Sequence, residues 1–515
     1  MKPMLKSCSA LMLLAPVAVA QERIWYANGE DDLDQLGNVI EILPDLDGDG
    51  SPELIVGAWG HHCVPGSSPA DGIAYEFSAT GAQLNEWCGE EEGLPTSVTT
   101  LQDVDGDGVR DFVLGGPFYE DPKLGPSSGR VHVYSARTGA QILELKGDMP
   151  DISFGKALAG LPDLDGDGYP ELLVGSSGYS SGRGKVWVIS TKDGSTLRTH
   201  VGPHSFSQYG RVVAALGDVD ADGTDDYVVH ADLSFQKGRI YVYSGATGAE
   251  LWRVTGFYDT DFLGISISDG GDIDGDGYAD LIAGGLAGST NGGHLDGYSG
   301  KTGKLLFRID AVEAFELFGW SCDMVGDANA DGVGDYLVGA RDNSHDGRAA
   351  GRATLYSGST LRPIYTFYPG YNQAGFGLAV RGGADFNGDG INDFIISSPY
   401  DNPWRHPGGR VSIFADNDLY LQADDTNPLP GAFVTFDTRG GIPGSFAELV
   451  LVDVNGTSVF APLDYGFLDA NGELASTLCV PDDATGLDFT VISYAVKLTH
   501  RPKWNDSSPV VISVQ

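Results

Sequence analysis

Short apolar runs recur along the whole chain, separated by turns rich in glycine and aspartate. Two kinds alternate. Runs such as LIVGAW from Leu54, FVLGGP from Phe112 and LLVGSS from Leu172 are apolar throughout, the pattern of strands buried on both faces. Runs such as GRVHVYSARTG from Gly129, GKVWVISTKDG from Gly184 and GRIYVYSGATG from Gly238 alternate and end in a glycine turn. A third short run follows, as in ILELKG from Ile142 or LWRVTG from Leu251. With a strand upstream, each unit predicts four strands, here A to D.

The unit repeats because its A–B loop repeats. The pattern D-x-[DN]-x-D-G-x-x-[DE] occurs seven times, with starts 54 to 60 residues apart, the period of a four-stranded propeller blade. Nine residues before six of the seven loops stands a bulky residue followed by glycine: Leu36-Gly37, Phe154-Gly155, Tyr209-Gly210, Leu263-Gly264, Phe318-Gly319 and Phe376-Gly377. The second repeat lacks the pair. The seventh supplies A, B and C but no D strand. Arg23-Ile24-Trp25-Tyr26, ahead of the first repeat, reads as the strand that closes the ring and removes its open edges.

The loops carry the chemistry. Positions 1, 3, 5 and 9 offer carboxylate or amide oxygens and position 7 a backbone carbonyl, and alternate residues of a tight loop converge on one point. The seven donor sets are Asp45, Asp47, Asp49, Ser51 and Glu53; Asp103, Asp105, Asp107, Val109 and Asp111; Asp163, Asp165, Asp167, Tyr169 and Glu171; Asp218, Asp220, Asp222, Thr224 and Asp226; Asp272, Asp274, Asp276, Tyr278 and Asp280; Asp327, Asn329, Asp331, Val333 and Asp335; and Asp385, Asn387, Asp389, Ile391 and Asp393. Hard oxygens without nitrogen or sulfur suit Ca²⁺ better than Mg²⁺, so up to seven calcium ions are expected. Ala221 and Ala330 replace a loop glycine, and Asn329 and Asn387 an aspartate, so those loops are expected to be weaker.

The bulky-Gly pair, the calcium loop and the segments Gly57-Ala58, Gly115-Gly116-Pro117 and Gly339-Ala340 together resemble the FG-GAP repeat of the integrin alpha-subunit propeller and its bacterial secreted relatives. The resemblance covers residues 22 to about 416. It implies an all-β, seven-bladed propeller with calcium between strands A and B, and an extracellular role in adhesion or recognition.

The ends of the chain read differently. Lys2 and Lys6, the apolar run Ser9–Val19 and Ala18-Val19-Ala20 form a signal peptide, residues 1–20. No later stretch is long and apolar enough to span a membrane. Residues 21–418 are the propeller, its closing strand at 22–27. Residues 419–515 carry alternating strands from LYLQA to VVISVQ and read as an immunoglobulin-like β-sandwich. Export permits disulfides, and Cys63 and Cys88 are close enough in sequence to pair, whereas Cys322 and Cys479 read as buried thiols.

Charge excludes some partners. The 515 residues carry a formal net charge of −41, which argues against nucleic acid and anionic membranes. Ligand contacts are expected on the B–C and D–A loops, at the end of each blade opposite the acidic loops, with Tyr119, Phe235, Tyr258, Tyr371, Trp404 and Arg405 as candidates. The partner is an extracellular protein or glycan. No H-E-x-x-H or Walker motif appears, so catalytic residues are assigned to none, and binding is the leading reading. A polysaccharide hydrolase or lyase on this scaffold and a structural envelope component are the alternatives. The exported chain should begin near Gln21: mass spectrometry of natively exported material is expected to show that terminus, and an intact Met1 would refute it.

Overall fold

The computed structural model describes residues 23–415 apart from 30–33, 64–70, 90–92, 233–236, 330, 371–372, 389 and 401–407, and beyond them the backbone of eight strands. The chain divides into two compact units, Glu22–Asp416 and one containing Asn417–Gln515. The signal-peptide reading and Cys479 as a buried thiol fall outside the described residues and side chains.

The first unit is all-β. Seven four-stranded antiparallel sheets each run A-B-C-D, so each is a blade. Blade 1 comprises Ile40–Leu43, Glu53–Ala58, Ile73–Phe77 and Gln83–Cys88; blade 3 comprises Ala157–Leu161, Glu171–Ser176, Lys185–Ser190 and Thr196–Val201. Blade 7 takes its outer strand from the start of the chain: Arg23–Asn28 pairs with Arg410–Phe414, Ala27 opposite Val411. The A strands adjoin round the whole ring, blade 7 against blade 1 included.

Burial follows sequence pattern. The B strands are buried from end to end, because a blade neighbours each of their faces, whereas D strands such as Thr196–Val201 and Glu250–Thr255 alternate between exposed and half-buried positions. The apolar interior is seven clusters, one per seam between blades. One joins Leu43, Ile55 and Trp87 of blade 1 to Phe112 and Tyr134 of blade 2; another joins Ile395 and Val411 of blade 7 to Ile40 and Leu54 of blade 1.

One backbone contact recurs at every seam. The glycine that opens strand C lies against the backbone of the bulky residue that leads the next blade: Gly129 on Phe154, Gly184 on Tyr209, Gly238 on Leu263, Gly293 on Phe318, Gly351 on Phe376 and, closing the ring, Gly409 on Leu36. Gly72 makes the same contact with Leu94, so Leu94-Pro95 holds the place of the pair missing from the second repeat. Four of these contacts are parallel β-bridges. Hydroxyls reinforce three seams: Ser97, Ser266 and Ser321 donate to the carbonyls of Gly155, Gly319 and Gly377 at 2.7, 2.9 and 2.8 Å.

The second unit contains two antiparallel sheets. One orders Tyr420–Ala423, Phe433–Arg439 and Leu474–Cys479; the other orders Thr457–Phe467, Phe446–Val454, Asp488–Lys497 and Lys503–Asp506, with Val510–Ser513 also on Asp488–Lys497. Thr457–Phe467 and Lys503–Asp506 are additions to the sequence reading. Pro462 and Gly466 interrupt the alternation that would have revealed the first.

The seam contact predicts an asymmetry between two glycines of blade 3. Gly166 and Gly184 both have left-handed backbone, φ +81° and +80°, but only Gly184 has backbone where a Cβ would go. Gly166→Ala should cost about 1–2 kcal/mol of backbone strain, and Gly184→Ala at least about twice that. Chemical denaturation checks this, and equal costs would remove the seam contact from the account.

Candidate metal centres and the opposite face

Each acidic loop is wound by its own carboxylates. In blade 1 the Asp45 carboxylate accepts the amides of Gly48 and Gly50 at 2.7 and 2.9 Å, Asp47 accepts the amide of Asp49 at 3.0 Å, and Asp49 that of Ser51 at 2.9 Å. The pattern recurs in blade 3 at Asp163, Asp165 and Asp167 and in blade 5 at Asp272, Asp274 and Asp276. Positive-φ glycines at positions 4 and 6 permit the curl. In blade 4 Ala221 adopts the same backbone at φ 61°, a conformation that costs an L-residue free energy. At Asp103 and Asp163 slight burial would raise the pKa, but amide hydrogen bonds outweigh it and hold both below the ordinary aspartate value.

The position-9 acid is the buried end of the site. Glu53, Asp111, Glu171, Asp226, Asp280, Asp335 and Asp393 are all inaccessible to solvent. One oxygen of each accepts the position-2 amide: Leu46 to Glu53 at 2.7 Å, Val104 to Asp111 at 2.7 Å, Phe386 to Asp393 at 2.7 Å. The second oxygen divides the loops. In blades 2, 4, 5 and 6 the aspartate is short enough for it to accept an amide of the C–D turn, from Ala136, Gly245, Gly300 and Gly358 at 2.8–3.1 Å. In blades 1 and 3 the longer glutamate leaves Oε1 of Glu53 and of Glu171 buried without a partner. Burial pushes both carboxyls up to about 7, against the Leu46 and Leu164 amides and with help from the neighbouring aspartates.

Donor oxygens converge in the first five loops. Asp45, Asp47, Asp49 and Glu53 each bring an oxygen within 4.8 Å of the others, as do Asp163, Asp165, Asp167 and Glu171. Three acids meet in each of the next: Asp103, Asp105 and Asp111; Asp218, Asp220 and Asp226; Asp272, Asp274 and Asp276. In the sixth loop Asn329 keeps its oxygen on the Asp331 amide at 3.0 Å. Ala330 and Asp389 lie outside the described residues. An all-oxygen donor set with an orphaned buried carboxylate oxygen fits a hard dication, which would supply the missing partner and relieve the repulsion.

The C–D turns add groups that the motif does not reveal. Arg137 pairs with Asp107 at 3.1 Å, Lys192 with Asp167 at 3.4 Å and Lys301 with Asp276 at 3.7 Å. In blade 6 Ser359 donates to Asp331 at 2.5 Å. Among the described residues no Lys or Arg pairs with Asp49, so the blade 1 loop combines the orphaned glutamate oxygen with an uncontested position 5. The signal was the turn pattern S-x-[RK]-x-G, visible only once A–B and C–D loops are known to share an end.

The opposite end holds the B–C and D–A loops. Tyr119 is half-buried, with the Arg130 guanidinium 4.2 Å from its ring centre, so it packs within its own blade. Tyr258 is half-buried edge-on against Phe257, ring centres 5.0 Å apart. Phe235, Tyr371, Trp404 and Arg405 lie outside the described residues. Three residues were overlooked: Phe206, Phe257 and Phe315, in successive D–A loops, are 77, 77 and 70 % exposed. Phe206 and Phe315 also have left-handed backbone at φ 63° and 64°. Beneath these loops buried acids hold the turns. Asp261 accepts from His294 at 2.8 Å, and Glu316 binds Arg352 through both oxygens at 2.9 and 3.0 Å.

Cys63 and Cys88 form a disulfide, and Cys322 is a buried free thiol. Two G-x-S-x-G spacings were also overlooked, Gly125-Pro126-Ser127-Ser128-Gly129 and Gly178-Tyr179-Ser180-Ser181-Gly182. Both sit in B–C turns, of blades 2 and 3, and lead to a strand, not to the long helix a nucleophile elbow requires.

Comparison with known proteins agrees with this architecture. The FG-GAP repeat family matches residues 154–189 and 376–414, which run from the bulky-Gly pair through strand C of blades 3 and 7. Among curated proteins the chain is 27% identical to integrin alpha-V of Gallus gallus over 204 residues, 35% of this chain and 19% of that protein. It is 29% identical to human integrin alpha-IIb over 268 residues, 45% of this chain and 25% of that protein. It is 32% identical to integrin alpha-3 of Mus musculus over 180 residues, 31% of this chain and 17% of that protein. The chain therefore spans a quarter or less of these relatives' length. It carries FG-GAP repeats in an integrin-alpha-like seven-bladed β-propeller.

The orphaned glutamates generate a prediction. Without metal, the folded chain holds protons on Glu53 and Glu171 up to about pH 7, whereas the unfolded chain releases them near 4.5. Their contribution to metal-free stability is thus full below about pH 4.5 and is lost as pH rises towards about 7. Saturating calcium should reverse that trend and raise the melting temperature most above pH 7. Glu53→Gln should remove one site from calcium calorimetry while leaving the metal-free fold intact. Unchanged stoichiometry would mean that Glu53 is no ligand.

Proposed function

We propose that this chain is a secreted calcium-binding propeller that recognises an extracellular protein or glycan with the face opposite its acidic loops. The observation that carries the reading is the row of exposed phenylalanines, Phe206, Phe257 and Phe315, on successive loops of that face. Exposed aromatics do nothing for the fold, two of these three stand on left-handed backbone, and all three supply contact area for a partner. The likeness to integrin alpha chains supports an adhesive or recognition role outside the cell. Calcium in the A–B loops, at up to seven sites, stiffens the scaffold at the other end. Among the described residues no helix is long and apolar enough to cross a membrane. The C-terminal unit, read as an immunoglobulin-like sandwich, anchors the protein.

Two sets of substitutions separate recognition from folding. Phe206→Ala, Phe257→Ala and Phe315→Ala combined should abolish capture on a glycan and protein array while leaving the melting temperature within a few degrees of the parent. Asp165→Ala with Asp167→Ala should lower the melting temperature in calcium and affect capture only through stability. Capture that ignores the three phenylalanines and disappears when residues 419–515 are deleted would move recognition to the C-terminal unit.

A further inference from the structure

The inner rim of the ring, on the same face, carries an arrangement that the fold does not need. Lys156 and Arg211 directly follow the bulky-Gly pairs of blades 3 and 4 and open strand A, so both stand beside the central channel, away from the acidic loops. Trp59 and Asp232 follow strand B of blades 1 and 4 at the same end. Contacts tie the group together. The rings of Trp59 and Phe118 lie 6.4 Å apart, the Lys156 ammonium is 5.7 Å from the Phe118 ring centre, and Arg211 donates to Asp232 at 2.9 Å.

Lys156 is the anomaly. It is partly buried and has no carboxylate partner among the described residues, in a chain with 72 acidic residues and 31 lysines and arginines. Burial, and then the charge of Arg211, push its pKa down. A half-buried ammonium that also feels the charge of a guanidinium costs free energy that methionine or glutamine would not. Acidic side chains are abundant enough that leaving this amine unpaired keeps a place open for an external anion.

We infer that the rim formed by Trp59, Phe118, Lys156 and Arg211 binds an acidic sugar at the end of a glycan. The two cations take the carboxylate or sulfate, and the two aromatic rings take the apolar face of the pyranose. An acidic peptide side chain would use the cations and leave the rings idle. At physiological salt, charges beyond about 8 Å are largely screened, and with Arg211 already paired to Asp232 the local positive charge is that of Lys156. The surrounding net charge of −41 still disfavours a long polyanion, which is why a single terminal acidic residue fits. This inference rests on the proposed face and names the ligand chemistry for one part of it.

Titration calorimetry on the full chain tests it, with trigalacturonate, its neutral methyl ester, a sulfated lactose and triglutamate as probes. At least one of the two acidic sugars should bind, the one that binds showing whether a carboxylate or a sulfate is preferred. The ester should bind at least about tenfold more weakly than trigalacturonate if the carboxylate is recognised. Lys156→Gln should weaken acidic-sugar binding about tenfold or more and leave the melting temperature equal or higher, because it removes an unpaired charge. Failure of both acidic sugars, or equal binding by Lys156→Gln and the parent, overturns the inference. Triglutamate binding as tight as that of the sugars overturns the sugar assignment. If array capture depends on Phe206, Phe257 and Phe315 but not on Lys156, the rim falls and the proposed face stands. If capture ignores those phenylalanines while Lys156 still governs trigalacturonate binding, the reverse holds.

Discussion

The close backbone contact at each seam is the constraint on which the rest of the propeller depends. A glycine opening strand C meets the main chain of the bulky residue leading the next blade, and a Cβ there would collide with backbone atoms that cannot move aside. The bulky side chain is buried in the seam, as Tyr209, Phe318 and Leu36 are. One contact therefore sets the blade spacing, and the same contact between Gly409 and Leu36 closes the ring. With spacing set, the B strands are covered on both faces and the apolar interior divides into seven seams.

Fixing the blades also separates the chemistry by end. Antiparallel order sends every A–B and C–D loop to one end, where turn cations such as Arg137 and Lys192 reach carboxylates of the acidic loops. Aspartate at position 9 satisfies both its oxygens with amides; glutamate cannot, because its extra methylene carries Oε1 past the turn. That difference of one carbon makes the loops of blades 1 and 3 the ones most in need of a cation.

At the other end, fixed inner strands carry loops that are free to vary. Buried pairs such as Asp261 with His294 and Glu316 with Arg352 hold the turns, so that phenylalanines can project into solvent, Phe206 and Phe315 from left-handed backbone. At the rim, Lys156 has no carboxylate partner among the described residues.

By itself the sequence determined the repeat, its four-strand unit, the acidic loops and the fold class, because these rest on local periodicity and on residue types at fixed spacing. It also held the clue to blade 2, Leu94-Pro95, but not its meaning, since equivalence with a bulky-Gly pair appears only through the contact with Gly72. Thr457–Phe467 stayed hidden because proline and glycine break its alternation, although pairing on both sides of Phe446–Val454 restores it. The tertiary structure alone decided that Tyr119 packs within its own blade, that Phe206, Phe257 and Phe315 are exposed on successive loops, that Glu53 and Glu171 each keep an oxygen unpaired, and that Lys156 stands over the Phe118 ring. These are relations between residues tens of positions apart, and local pattern carries no record of which side chains a closed ring brings together or leaves alone.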